Sequence, residues 1–231
     1  MTRRDFIVGG LSAVAAGECL SSPVRSALGA ERNNVKAPLP YDAEVEYLES
    51  TGTQWIDTGY APATDVVTVS AKYEFTANYN GATVWGANLP TDRNWMANQY
   101  SNSWWFGVTS GQFSSSQGAF LHDVSWNINN GTVSGHVNST SYSGTYSGSV
   151  VSGYSVYLFG CNSGGSAQRV GYSQLKLYSF TLSDNGVLVR DMIPVRFTNE
   201  QNQSEGAMYD RVSGALFRNA GTGSFVIGPE V

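Results

Sequence analysis

Charge is scarce in this sequence. Only 13% of its 231 residues are Asp, Glu, Lys or Arg, and no basic stripe is present, which argues against nucleic acid or anionic lipid as a partner. Cysteine is scarcer still, with Cys19 and Cys161 as its only representatives. No Cys/His cluster surrounds either one, so a zinc site has no ligand set to start from. No apolar run approaches the roughly 20 residues that a membrane-crossing helix requires. Beyond the first thirty residues, no window of ten or more keeps a helical apolar period. The G-x-S-x-G elbow, the phosphate-cradling glycine loop and the D-x-D-x-D-G calcium run are also missing. What is plentiful is glycine, at 26 residues, and aromatic side chains, at 13%. Aromatic and β-branched residues at this density are not the composition of a disordered chain.

The first thirty residues differ from the rest. Arg3-Arg4 follows Thr2 and precedes Phe6-Ile7, and an apolar, glycine-softened run extends to Ala16. This resembles a twin-arginine export signal, with Val8 where that pattern usually has Lys. Such signals are addresses, not anchors. The resemblance implies cleavage near Ala30 and a periplasmic or extracellular location. A lipoprotein signal fits poorly, because Glu18 stands before Cys19. With residues 1–30 removed, Cys161 is alone and cannot form an intramolecular disulfide. In the setting "YLFGCN" it reads as a small buried hydrophobe. The remaining chain has 10 basic and 16 acidic residues, a net charge of −6. From Asn94 to Gln168 its only formal charge is Asp123.

Residues 31–40 read as a polar linker, and 41–231 as one all-β domain. Apolar residues alternate with period two, and turn signals recur every eight to twelve residues, as in sandwiches. The segment 65–76 places Val67, Val69, Ala71, Tyr73 and Phe75 on one face. Segments 119–128 and 131–137 flank Asn129-Asn130-Gly131, and Asp184-Asn185-Gly186 separates two further strand patterns. An Asn-Gly step supplies the positive φ of a tight hairpin, so both are predicted as hairpin turns.

Two segments carry a family likeness. "VEYLESTGTQWIDTGYAP" (45–62) resembles the opening strand and turn of LamG-like, concanavalin A-like jelly-roll domains of exported bacterial proteins. The stretch 176–197, followed by "GAMYDRVSGALFRNAGTGSFVIG" (206–228), resembles their closing part. The middle, 78–170, matches only in strand pattern. The resemblance implies a two-sheet antiparallel jelly-roll sandwich of a superfamily that includes lectins, carbohydrate-binding modules, adhesion domains and some glycosidases. Within the motifs, Trp55 and Ile56 are expected to head inward or stack on a sheet edge. Asp57 and Thr58 are expected to bond nearby amides. Residues 210–214 suit a hairpin and 219–223 a tight loop.

The site candidates are aromatic. Trp85, Trp95, Trp104 and Trp105 lie in the charge-poor stretch with Asn98 among several amides. Sugar recognition needs flat apolar faces for pyranose C–H groups and amides for hydroxyls, and this region supplies both. On a strand, the adjacent Trp104 and Trp105 point to opposite faces. The competing reading is that these rings fill the core, since aromatics favour strands anyway. The expected function is a non-catalytic binding or adhesion module, with carbohydrate as ligand or a cell-surface protein as partner. An envelope assembly protein is the alternative, and a glycoside hydrolase the second alternative. For the hydrolase, Glu44 and Glu46 share a strand face and could act as nucleophile and acid. An edge strand, however, carries acidic residues as an ordinary guard. His122 and His136 could face each other on one hairpin, but a pair does not make a zinc site. No cofactor is expected. Calcium stays open because related sandwiches carry it, although Asp65, Asp92, Asp123 and Asp184 are scattered in the sequence.

Overall fold

The computed structural model describes residues 38–77, 81–88, 94–100, 103–107, 112–114, 121–145 and 149–231; at Asn88, Tyr172 and across 94–114 it describes the backbone alone. The leader 1–30, residues 31–37 of the linker and Asp92 lie outside the described residues. From Pro38 onward the chain forms one unit.

Three short pieces open the unit: β1 (Ala43–Glu44), β2 (Leu48–Ser50) and β3 (Ile56–Asp57). They lead into the long strand β4 (Val66–Phe75), then β5 (Thr83–Asn88), β6 (Asn94–Tyr100), β7 (Ser103–Gly107) and β8 (Gln112–Ser114). Next come β9 (Leu121–Asn129), β10 (Thr132–Val137), β11 (Thr140–Thr145), β12 (Tyr157–Leu158), β13 (Cys161–Ser163) and β14 (Ser166–Gln168). One turn of 3-10 helix (Val170–Tyr172) precedes β15 (Leu175–Asp184), β16 (Val187–Thr198), β17 (Ser204–Asp210), β18 (Ala215–Arg218) and β19 (Val226–Ile227).

These strands form two packed, essentially antiparallel sheets, a β-sandwich. The larger runs β11-β10-β9-β4-β15-β16-β17-β18, with β2 added to β15 and β1 to β16. The smaller runs β14-β13-β5-β6-β7-β8, with β12 beside β5 and β3 beside β12. One contact departs from the antiparallel rule, where Asn162 of β13 pairs in parallel with Ala87 of β5. Both predicted Asn-Gly hairpins form. Asn130 and Gly131 take φ of 42° and 94°, and Asn185 and Gly186 take 49° and 76°, the mirror-image turn that matches strand twist.

The core fills the space between the sheets. Val67, Val69, Ala71, Tyr73 and Phe75 of β4 are all buried, as their alternation predicts. They meet Trp85 and Leu158 of the smaller sheet, Phe159 just past β12, and Phe180 and Leu182 of β15 in one cluster. Each such side chain contributes about 1.5–3 kcal/mol when removed from water. Cys161 is buried at 1% exposure, and desolvation pushes its thiol up to about 12 despite nearby Arg169.

Two buried carboxylates pin the loops. Asp184, 5% exposed, accepts hydrogen bonds from the Tyr60 hydroxyl (2.8 Å), the Ala63 amide (2.6 Å) and the Thr64 hydroxyl. Burial alone raises its pKa, but these donors outweigh that and leave it below the ordinary value. Asp210, fully buried, accepts from the Asp191 amide (2.8 Å) and from the Ser213 hydroxyl (2.7 Å), closing the predicted 210–214 hairpin. Arg190 lies 3.6 Å from Asp210 and donates to the Thr58 carbonyl at 2.8 Å, linking the closing motif to the opening one.

The two ends of the unit are zipped together. Leu48 and Glu49 pair with Ile227 and Val226, and Val45 bridges Glu230. The Glu46 amide donates to the Pro229 carbonyl at 2.8 Å, and the Val231 amide to Glu44 at 3.2 Å. Pro194, inside β16, is tolerated because its carbonyl faces the β1 side, where it accepts from the Val45 amide at 3.1 Å, so the missing N–H falls on that side and not in the ladder with β17.

Candidate binding site

The tryptophan-rich stretch forms the centre of the smaller sheet. In β5, Trp85 is only 2% exposed, and its ring centroid lies 6.0 Å from that of Phe180 in the facing sheet. Trp85 is therefore a core side chain and not a ligand platform, a correction to the sequence-based expectation. Its direction fixes the faces of the neighbouring strands. Trp85 pairs with Ala97, Ala97 with Phe106, and Gln99 with Trp104. Residues directly paired or two apart share a face. Trp95 and Trp104 thus occupy positions on the core-side face, together with Trp85.

Asn98 and Trp105 occupy the opposite face. They are directly paired, and Trp105 is paired on its other side with Gln112 of β8. One row across three adjacent strands therefore reads Asn98, Trp105, Gln112, an indole position between two amide positions. Neighbouring strands lie about 4.8 Å apart, so the row spans about 10 Å, the width of one or two pyranose rings. Sequence reasoning singled out Asn98 and Trp105 but missed Gln112. No local signal marks Gln112; only the register of β7 with β8 brings it alongside.

The motif residues of the opening segment hold structural posts, as expected. Ile56 is fully buried, and Trp55 stacks on Tyr157 with centroids 4.3 Å apart and planes at 27°. The Gly59 amide donates to Asp57 at 2.8 Å, and the Thr58 hydroxyl to the Val156 carbonyl at 2.7 Å. In the 219–223 loop, the Gly221 amide donates to Asn219 at 2.9 Å, and the Asn219 side-chain amide to Gly223 at 2.8 Å. A Cβ on Gly221 would stand 2.1 Å from the Thr53 carbonyl oxygen, so only glycine permits this approach. Tyr60 belongs to the opening segment, and burial together with its bond to Asp184 pushes its phenol up to about 12.

The other candidates separate. His122 is fully buried and stacks on Tyr73 at 5.2 Å, whereas His136 pairs with Ser125, so the two histidines do not face each other. β10 ends opposite Val124, two residues short of His122. No group of three metal-ligating side chains occurs among the described residues. Of the aspartates weighed for calcium, Asp65 is committed to the Ser149 hydroxyl and Val150 amide, and Asp184 to the three donors above. Glu44 and Glu46 line one open groove of about 410 Å³ on the larger sheet, with Lys72 and Tyr178. Both are exposed, and Glu44 accepts from the Tyr41 hydroxyl at 2.9 Å. No helix among the described residues is long and apolar enough to cross a membrane. Neither a family model nor a curated protein matches the chain.

Proposed function

We propose that this chain is a non-catalytic carbohydrate-binding module of the LamG-like, jelly-roll kind, exported by the twin-arginine route. The observation that carries this reading is the row Asn98, Trp105, Gln112 on the face of the smaller sheet away from the core. An indole plane accepts the C–H face of a pyranose, and flanking amides supply both donors and acceptors for its hydroxyls. The near absence of charge from Asn94 to Gln168 suits a neutral ligand.

A glycan array probed with the purified protein tests the reading, with Trp105→Ala and Trp104→Ala alongside and calcium both present and absent. Trp105→Ala is expected to weaken binding while the protein stays folded. Trp104→Ala, at a core-side position, is expected to lower stability instead. Taking for the Trp105 ring the about 1–3 kcal/mol that a stacked nucleic-acid base gains on an aromatic side chain, the loss in Trp105→Ala is roughly tenfold to hundredfold. The absence of any glycan bound by the wild-type protein, or undiminished binding by Trp105→Ala, sinks the proposal. A second reading, an envelope assembly protein, is favoured by apolar residues exposed at two turns: Val187 (63%) and Leu188 (45%) after Asn185-Gly186, and Val212 (48%) in the next hairpin. A wild-type protein that binds no glycan moves the weight to that reading.

A further inference from the structure

Sheet edges expose unpaired backbone donors and acceptors, and proteins guard them with shortness, charge, proline or a bulge. Three edges of this sandwich follow that rule. β8 and β14 are three residues each, and β18 has four and ends on Arg218, whose guanidinium covers Phe197 at 4.5 Å. The outer edge of the larger sheet does not. β11 has six residues, Thr-Ser-Tyr-Ser-Gly-Thr, without charge or proline. Its pairing with β10 runs through six consecutive positions with no bulge, and among the described residues it pairs with β10 alone. Five of its six residues are exposed, on both faces. The sixth, Tyr142, holds the strand in place against Trp126, with centroids 6.1 Å apart.

From this geometry we infer that β11 is an interaction edge whose partner is β11 of a second copy of this chain, the two joined antiparallel across a two-fold axis into one continuous sheet. Like chains present no repulsion here, because no Asp, Glu, Lys or Arg occurs between Asp123 and Arg169. A symmetric antiparallel register centred on Tyr142 keeps opposed residues on the same face and sets Ser141 opposite Ser143 and Thr140 opposite Gly144, which are small, mutually compatible neighbours. The contact is self-complementary and closes on itself, because it uses the same edge from both copies. The assembly is a dimer and not a fibre.

Sedimentation velocity of the full chain from about 1 to 100 µM tests this. The wild-type protein is expected to sediment with the mass of two chains. Ser141→Lys with Ser143→Lys sets four like charges at the seam and is expected to weaken self-association at least about tenfold. Leu121→Lys with Asn127→Lys adds the same charge on the exposed face of the interior strand β9 and is expected to leave the dimer intact. A wild-type mass of one chain throughout, or a dimer that survives the β11 lysines, overturns the inference. Amide hydrogen exchange gives an independent reading that needs no variant. The β11 amides are expected to gain protection with concentration, and exchange that is independent of concentration also overturns the inference.

Discussion

Replacing Asp184 with Asn keeps the shape of a buried group and removes its charge. The wild-type carboxylate accepts three hydrogen bonds at the end of β15, from Tyr60, the Ala63 amide and Thr64. An amide offers one acceptor oxygen, so at least one donor loses its partner and the others lose charge assistance. A hydrogen bond to a charged group contributes about 1.5–3 kcal/mol, which makes the expected loss about 3 kcal/mol at neutral pH. For a domain of this size, that lowers Tm by about 6–12 °C. The pH dependence is the sharper test. The folded carboxyl titrates below its ordinary value, and an unfolded Asp titrates near about 3.9. The stabilisation is therefore complete above about pH 4 and disappears as pH falls through the folded pKa. Urea unfolding followed by tryptophan fluorescence should show the full gap between wild type and Asp184→Asn at pH 7, and a smaller gap at pH 3. A gap equal at both pH values, or one under about 1 kcal/mol at pH 7, would refute the reasoning.

Two further outcomes follow from packing. A Cβ on Gly135 would stand 2.0 Å from the Ser125 carbonyl oxygen, a backbone atom that cannot step aside. Gly135→Ala is therefore expected to cost about 2 kcal/mol in urea unfolding, and a neutral result refutes the close approach of β9 and β10. The Cys161 thiol, 1% exposed and raised to about 12, should react with a thiol reagent at pH 8 only as fast as the protein unfolds. Rapid labelling under native conditions contradicts its burial.

The legible parts of this sequence were those set by local chemistry. Period-two alternation named the buried face of β4, and Asn-Gly steps named the hairpins at Asn130 and Asn185, because strand pleat and positive φ act within a few residues. The glycine and Asx turns around Asp57 and Asn219 are local in the same way. Less was legible where an element depends on a distant partner. The parallel contact of β13 with β5 leaves no mark in either segment. Asp184 and Asp210 look like ordinary turn aspartates until residues 120 and 19 positions away in sequence supply donors to them. The candidate site divides the same way. Aromatic density drew attention to the stretch 85–105, but alternation alone could not say which side of the sheet faces the core. Trp85 had to be seen against Phe180 before Trp105 could be set apart from Trp104, and Gln112 entered only through register. His122 misled because a polar residue on an inward position of β9 looks like surface chemistry until Tyr73 is found stacked against it.

The zipped ends of the unit have a mechanical consequence. Close to the two ends, Glu44 and Val231 are joined to each other, and the pairing continues inward through Val45 with Glu230 to Glu49 with Val226. A force that pulls the two ends apart therefore meets the bonds in series. It peels the seam one rung at a time from its outer end, where a shearing load would stretch all rungs together. The N-terminal arm of this seam is also paired to β16 through Ala43 and Glu44, so that long strand shares the load from the start. Tension along the chain would thus be relieved first by a short, reversible lengthening, with the face that bears Trp105 still assembled.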